Sequence, residues 1–221
     1  MAKRILNMTP TELTQLSKED FISAIAGSEG RVLASETIGL IPPLLTDVTN
    51  AEFTASLGAD LILLNMFDVW NPIIHSLPDV SAEETVREVK RLTGRMVGIN
   101  LEPVEENVTT ENADTLWAMS KGRYATVENA VRAQEMGVDM IVLTGNPGNG
   151  VSNEAIASSL KNISAKLKSK IVLAAGKMHA AGVIGEGGEN IITKDDILLF
   201  ANAGADIILL PAPCTVPGIT T

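Results

Sequence analysis

Polar side chains with catalytic or ligand-binding potential recur at one position in four short apolar stretches of this chain. Each stretch follows a charged residue, at Arg31, Asp60, Arg95 or Asp139, and is apolar or small at the first and third positions after it. The fifth positions are Glu36, Asn65, Asn100 and Thr144, and Glu102 occupies the seventh position of the third stretch. Because side chains alternate along a strand, these residues share one face. We interpret them as a site at the carboxyl ends of parallel strands, although strands that simply reach solvent also become polar.

The two glutamates suit two kinds of chemistry. Glu36 and Glu102 are carboxylates from different strands, and with Asn65 or Asn100 they offer the oxygen ligands that Mg²⁺ prefers. They equally suit a general acid–base pair. A third interpretation is a salt bridge between one of them and Lys177.

Lys177 and His179 follow another apolar stretch, in a run of small residues from Ala175 to Gly182. A lysine shielded from water has a lowered pKa and can act as a base or as a Schiff-base amine. Its alternative role is electrostatic binding of a phosphate or carboxylate. His179 is one of two histidines and is a candidate acid–base group or metal ligand, or a hydrogen-bonding bystander.

A glycine-rich connection over residues 145–152 is a candidate phosphate site. Asn146, Gly148 and Gly150 lie in it, just before a predicted helix whose N-terminus favours negative charge. A plain turn with a helix cap is the equal alternative. The segment has no Gly-Lys-Ser/Thr ending, and no glycine fingerprint opens the first strand-to-helix turn, so we expect no nucleotide cofactor.

A phrase repeated three times indicates the fold. Leu57–Leu64, Met136–Leu143 and Ala203–Leu210 each read as a helix end, a glycine, an aspartate and a buried strand. Together with helix-start patterns such as Thr9–Glu12, Ser81–Glu84 and Thr193–Asp196, they predict six strands, each reached through a helix. We predict an α/β fold, a (β/α)8 TIM-type barrel that lacks its last two βα units in this chain. Something must cover the free edges of the first and last strands.

Length and composition limit the class of protein. The 221 residues carry a net charge of −10, 45% hydrophobic residues and one cysteine. We expect a single domain over 1–221, with an N-terminal helical segment at 1–30. The charge argues against nucleic acid as a partner, and the lack of a long apolar run or signal peptide argues against a membrane span or secretion. We expect a cytoplasmic homo-oligomer.

Four motifs of this chain together resemble a family of bacterial barrel proteins, over the whole of its length. They are Ser35-Glu36-Thr37, Leu64-Asn65-Met66-Phe67, Leu143-Thr144-Gly145-Asn146-Pro147-Gly148 and Gly176-Lys177-Met178-His179. The family is labelled phosphoenolpyruvate phosphonomutase-like or haloacid-dehalogenase-like hydrolase. The first label implies Mg²⁺ and a small phosphorylated or carboxylated substrate. The second requires an Asp-x-Asp motif after the first strand, which Asp47-Val48-Thr49 does not supply.

We therefore predict a small-molecule metabolic enzyme, a lyase or isomerase acting on a phosphorylated or carboxylated metabolite. In this interpretation Glu36 and Glu102 hold Mg²⁺ or move protons, Lys177 binds or activates a carbonyl, and the asparagines orient the substrate. A metal-assisted hydrolase that uses the same carboxylates is one alternative. A barrel without catalytic activity that binds a metabolite or serves in assembly is the other, because fold alone does not determine function.

Overall fold

The computed structural model describes residues 3–104, 119–144, 151–167, 171–176 and 192–212. After two N-terminal helices, strands and helices alternate along these residues. The helices are α1 Pro10–Leu13, α2 Lys18–Gly27, α3 Asn50–Ser56, α4 Thr85–Thr93, α5 Val127–Glu135, α6 Asn153–Leu167 and α7 Lys194–Ala203. The strands are β1 Ala34–Ile38, β2 Leu61–Asn65, β3 Met96–Leu101, β4 Met140–Leu143, β5 Val172–Gly176 and β6 Ile207–Leu209. No helix in this described part of the chain is long and apolar enough to cross a membrane.

The strands form one six-stranded sheet in the order β1-β2-β3-β4-β5-β6. The pairs β1–β2, β2–β3 and β5–β6 are parallel. Parallel neighbours need a crossover connection, and helices supply it here. The predicted α/β class with helix-connected parallel strands is therefore confirmed.

The chain divides into two compact units. The first comprises Met1–Asn100, Val131–Ile141 and Ser169–Val172, and the second comprises the remaining residues. Large side chains that are fully buried in the first unit include Phe21, Ile62, Leu64, Ile99, Met136 and Ile141. Those of the second unit include Leu101, Leu143, Ile156, Leu160, Ile163 and Phe200. Each unit therefore has a core of aliphatic residues with very few aromatic ones.

The repeated aspartates join pairs of strands at their amino ends. The Asp60 carboxylate accepts a hydrogen bond from the Leu33 amide at 2.9 Å, and the Asp60 amide donates to the Leu33 carbonyl at 2.8 Å. Asp139 makes the same two bonds to Val97, and Asp206 makes them to Leu173. Each aspartate thus satisfies two backbone groups at the start of a strand. The repeat marks the start of β2, β4 and β6, and its aspartates have a structural role.

Three of the predicted helix starts can be compared with the structure. Thr9 and Thr193 form reciprocal capping boxes with Glu12 and Asp196, as predicted. Ser81 makes no side-chain capping bond, so that prediction was wrong: a turn of 3-10 helix over Ala82–Glu84 precedes α4. There the Thr85 hydroxyl donates to the Ser81 carbonyl, and Glu84 pairs with Arg87. The Glu84 carboxylate therefore binds Arg87, farther along the helix, and forms no capping box with Ser81.

A capping box at the start of α3 provides a stability test. The Thr49 side chain is 1% exposed, its hydroxyl oxygen accepts from the Glu52 amide, and the Glu52 carboxylate accepts from the Thr49 amide. We expect Thr49→Ala to lower the free energy of unfolding by about 1–2 kcal/mol. Urea denaturation measures this loss. Thr9→Ala, in the exposed box of the four-residue helix α1, is the matched control, and an equal loss there would contradict the role of burial.

Candidate functional site

Two of the predicted site residues lie in direct contact across the intervening strand β2. The Asn100 side-chain amide donates to Glu36 Oε1 at 3.0 Å, across from β3 to β1. Glu36 itself is exposed, and no other described residue makes a hydrogen bond to its carboxylate. The contact leaves Glu36 oriented by a neutral donor and open to an incoming molecule.

The orientation of the Asn100 amide follows from this contact. The amide nitrogen must face Glu36, because two oxygens in contact would repel each other. Asn100 Oδ1 is then buried, and no described residue donates a hydrogen bond to it. A buried carbonyl without a donor costs about 1–3 kcal/mol. A carbonyl in this position can accept a hydrogen bond from an ordered water or from a bound molecule.

Asn65 ends β2, and its side chain has a local partner. Asn65 Oδ1 accepts from the Met66 amide at 2.7 Å. Met66 is buried and has a φ of 58°, in the left-handed region that residues other than glycine rarely adopt. Strained backbone of this kind clusters at functional sites. No pattern in the sequence indicated it.

The register of the strands corrects the predicted alignment. Glu36 pairs with Leu63, and Leu63 pairs with Gly98, so Glu36 lies two residues below Asn65 on the sheet. The predicted alignment placed Glu36 and Asn65 at the same level. A stagger between neighbouring strands explains the difference. The shift is an even number of residues, so Glu36, Asn65 and Asn100 keep a common face, as predicted.

The register of β5 against β6 fixes which residues share a face there. Ala174 pairs with Ile207, and Gly176 with Leu209. Because side chains alternate along a strand, these four residues lie on one face of the sheet.

Glu102 has a charged partner that the sequence did not indicate. Arg123 Nη2 lies 2.9 Å from Glu102 Oε1, and the two side chains are 8% and 16% exposed. The backbone fixes this arrangement, because the Glu102 amide donates to the Arg123 carbonyl and the Ala125 amide donates to the Glu102 carbonyl. Glu102 is thus held in a largely buried ion pair.

The turn that carries Arg123 is itself anchored. Asn129 is 4% exposed, and its side-chain amide donates to the carbonyls of Lys121 and Tyr124. Ser120, at the start of the same turn, has a buried hydroxyl without a partner among the described residues. Arg123 and Asn129 are the residues that sequence reasoning missed. A lone arginine in a polar connection has no distinguishing pattern.

The predicted magnesium site does not fit the described residues. Among them, no three His, Cys, Asp or Glu side chains are grouped so as to hold a metal ion. Arg123 already neutralises Glu102, and its guanidinium would repel a divalent cation there. Glu36 and Asn100 alone provide too few anionic ligands for a Mg²⁺ site. We therefore assign no step of the chemistry to a metal.

One further predicted site residue, Thr144, lies in the described part of the chain. Thr144 is the first residue after β4, at the carboxyl end of that strand as predicted. Five others fall outside the described residues, namely Lys177, His179, Asn146, Gly148 and Gly150. Their predicted roles in catalysis and in substrate binding stay predictions.

Known structures share the fold of this chain. A triclinic crystal form of 2,3-dimethylmalate lyase, a PEP mutase/isocitrate lyase superfamily member, matches with a TM-score of 0.52 and 11% identity, over 87% of this chain and 62% of the lyase. The carboxyl transferase domain of Rhizobium etli pyruvate carboxylase, solved with pyruvate, matches with a TM-score of 0.50 and 14% identity, over 89% of this chain and 29% of that chain. The chain thus spans less than two thirds of either structure. At these identities the likeness shows the fold alone.

Sequence comparison identifies the family. Residues 6–221 match the model of a domain of unknown function (DUF7916), and the chain belongs to this family. No curated protein matches it significantly. The lyase above agrees with the predicted phosphoenolpyruvate phosphonomutase-like label at the level of fold, and the haloacid-dehalogenase-like label has no support from these comparisons.

Proposed function

We propose that this protein is an enzyme of small-molecule metabolism, a lyase or isomerase acting on a carboxylated or phosphorylated metabolite. The contact between Glu36 and Asn100 is the observation that carries the proposal. It supports the proposal because the exposed Glu36 carboxylate is held by a neutral amide near the carboxyl end of β3, and α/β enzymes bind their substrates at that end of the strands. The shared fold with a lyase and with a pyruvate-bound carboxyl transferase agrees with this class of substrate.

Glu36 is the proposed acid–base group. Lyase and isomerase reactions on such metabolites take a proton from a carbon or a hydroxyl and return it to another atom. Asn100 occupies Oε1 of the carboxylate, so Oε2 is the oxygen that accepts the substrate proton. Asn100 thereby fixes the orientation of the Glu36 carboxylate and determines which of its two oxygens faces the substrate. Substituting Asn100 removes this positioning without removing the base.

Other residues have supporting roles in the proposal. Glu102 is largely buried in an ion pair with Arg123, whereas the Glu36 carboxylate is exposed, so Glu36 is the glutamate that a substrate can reach. Lys177 is proposed to bind the carbonyl or the anionic group of the substrate, and Asn65 and Asn146 to orient it. An Arg-paired Glu102 also argues against a hydrolase that uses both glutamates on a metal-bound water.

A thermal-shift screen tests the proposal. We expect one or more small carboxylated or phosphorylated metabolites to raise the melting temperature, because a ligand that binds only the folded state stabilises it. The ligand that binds is then tested for turnover. Glu36→Gln should abolish turnover while the protein stays folded, because glutamine keeps the Asn100 side of the contact but cannot accept a proton. We expect a loss of about 10²–10⁴-fold, the usual contribution of a general base.

A control variant and a test of the Mg²⁺ requirement make the result specific to Glu36. Glu29→Gln is the matched control, because Glu29 is an exposed glutamate that precedes β1 and pairs with Arg31. Full turnover in Glu36→Gln would refute the role of Glu36. A stabilisation that requires Mg²⁺ and disappears in Glu36→Gln would instead support a metal-assisted site. If no metabolite in the screen binds, the enzyme hypothesis loses its support.

A further inference from the structure

An exposed apolar surface lies on two connections of the first unit. These connections follow β1, over residues 39–49, and β2, over residues 68–80. They hold half of the twelve large hydrophobic side chains that are exposed in the described part of the chain. The six residues are Ile41, Leu44, Leu45, Trp70, Ile73 and Val80, and we call them the loop surface. Leu44 is 74% exposed and Ile73 is 52% exposed.

The two connections form one ordered surface. The Ser76 hydroxyl donates to the Thr46 carbonyl at 2.6 Å, and the His75 amide donates to the Gly39 carbonyl at 3.1 Å. The backbone passes so close to Gly39 that a Cβ there would lie 2.6 Å from the Ile73 carbonyl oxygen. The segments contain Pro42, Pro43, Pro72 and Pro78, which restrict the backbone. A surface held in place before binding loses little entropy when a partner covers it.

The charged residues within the two connections are all acidic. No lysine or arginine occurs between Arg31 and Arg87, whereas Asp47, Asp68 and Asp79 lie in the two connections. None of these three carboxylates forms an ion pair with a described residue. One cation approaches from α5, where the Arg132 guanidinium lies 5.1 Å from the Trp70 ring and pairs with Glu83. The loop surface is therefore apolar with an acidic rim.

We propose that the loop surface binds a cationic amphipathic segment of another protein. Large exposed apolar areas with a polar rim mark interaction sites. Leucine-like side chains of the partner cover the six apolar residues, while its lysines and arginines meet the acidic rim. A second copy of this chain fits less well, because a symmetric contact brings the same carboxylates of both copies together. The acidic rim likewise disfavours an anionic membrane.

A binding experiment with designed peptides tests this proposal. The probe is a fluorescent amphipathic helix of leucine and lysine, and its twin has every lysine replaced by glutamate. We expect the lysine peptide to bind and its twin not to bind. The double variant Leu44→Ser, Ile73→Ser should weaken binding by about tenfold, because few central apolar contacts carry most of the energy of an interface. Asp47→Asn with Asp79→Asn should weaken binding and reduce its dependence on salt.

A matched control tests whether peptide binding depends on the loop surface or only on the net negative charge of the whole chain. Leu57 is 71% exposed at the end of α3, outside the two connections, so Leu57→Ser should leave binding unchanged. Equal weakening in Leu57→Ser, or equal binding of the glutamate twin, would overturn the proposal. So would the absence of any binding. Self-association in sedimentation that Leu44→Ser abolishes would assign the surface to a second copy, and binding to neutral phosphatidylcholine vesicles that Leu44→Ser abolishes would assign it to lipid.

Discussion

Replacing Lys90 with methionine is expected to lower the free energy of unfolding by about 3–5 kcal/mol, because it leaves a largely buried carboxylate without its cation. Lys90 Nζ lies 2.7 Å from Asp139 Oδ1, and the two side chains are 15% and 16% exposed. Asp139 Oδ2 accepts from the Val97 amide, which ties the pair to the start of β3. Burial raises the pKa of Asp139, and the charge of Lys90 opposes that rise. Without Lys90 the cost of burying the ionised carboxylate is no longer offset.

The loss of stability in Lys90→Met should depend on pH, and the direction of this dependence follows from the pKa of Asp139. A carboxyl whose pKa is raised by folding favours the folded state below its unfolded pKa of about 3.9, and this contribution is lost as the pH rises through the folded value. Lys90→Met raises the folded pKa of Asp139 further. The difference in stability between wild type and variant should therefore be large at neutral pH and shrink as Asp139 takes up a proton. Urea denaturation from pH 4 to pH 8 measures it.

The control is another lysine-to-methionine change. Lys3 donates to Glu12, and this hydrogen bond is the main reason why the pKa of Glu12 is lowered to about 2. Both side chains are nearly half exposed, so water and salt screen the pair. Lys3→Met should therefore change stability little. A penalty for Lys90→Met that is small, or the same at every pH, would contradict the assigned role of the pair.

Replacing Arg123 with methionine is the second change with a large expected effect. We expect a loss of about 3–5 kcal/mol, since the largely buried Glu102 carboxylate would lose the guanidinium that pairs with it. Arg123→Lys should cost less, because lysine keeps the charge but loses the planar guanidinium. Urea denaturation provides the measurement.

A double-mutant cycle tests whether the loss of stability in Arg123→Met comes from the pairing of Arg123 with Glu102. Glu102→Met with Arg123→Met removes both charges, and replacing a buried ion pair with apolar residues is often neutral or stabilising. The double variant should therefore be more stable than Arg123→Met alone. If the double variant is no more stable, the effect of Arg123 comes from packing and not from its pairing with Glu102.

Much of the fold could be predicted because its signals are local. The Gly-x-Asp repeat preceded β2, β4 and β6, since a helix-ending glycine and a run of Val, Ile and Leu leave few alternatives. The capping boxes of Thr9 and Thr193 were also predicted. The box at Ser81 was wrong because Glu84 pairs with Arg87 and the helix begins with a 3-10 turn, which a spacing rule does not detect.

The site was predicted in part. Alternation along strands placed Glu36, Asn65 and Asn100 on one face, and the structure brings Glu36 and Asn100 into contact. The stagger of β1 against β2 is set by strand pairing, so an alignment of charged residues could not give it. The ion pair of Glu102 with Arg123 joins residues 21 positions apart. Arg123 reaches Glu102 only because the chain after β3 folds back onto the end of that strand, and no local sequence pattern predicts this return.

The amino-acid sequence by itself determined the order of helices and strands, the parallel α/β class and the face that carries the polar strand ends. These properties depend on turn preference, on side-chain periodicity and on the burial of apolar runs, all of which act between near neighbours. Only the tertiary structure decided the partners of the charges: Asn100 for Glu36, Arg123 for Glu102 and Lys90 for Asp139. Electrostatic and hydrogen-bonding partners are chosen by distance in space, and that distance exists only once the strands have paired.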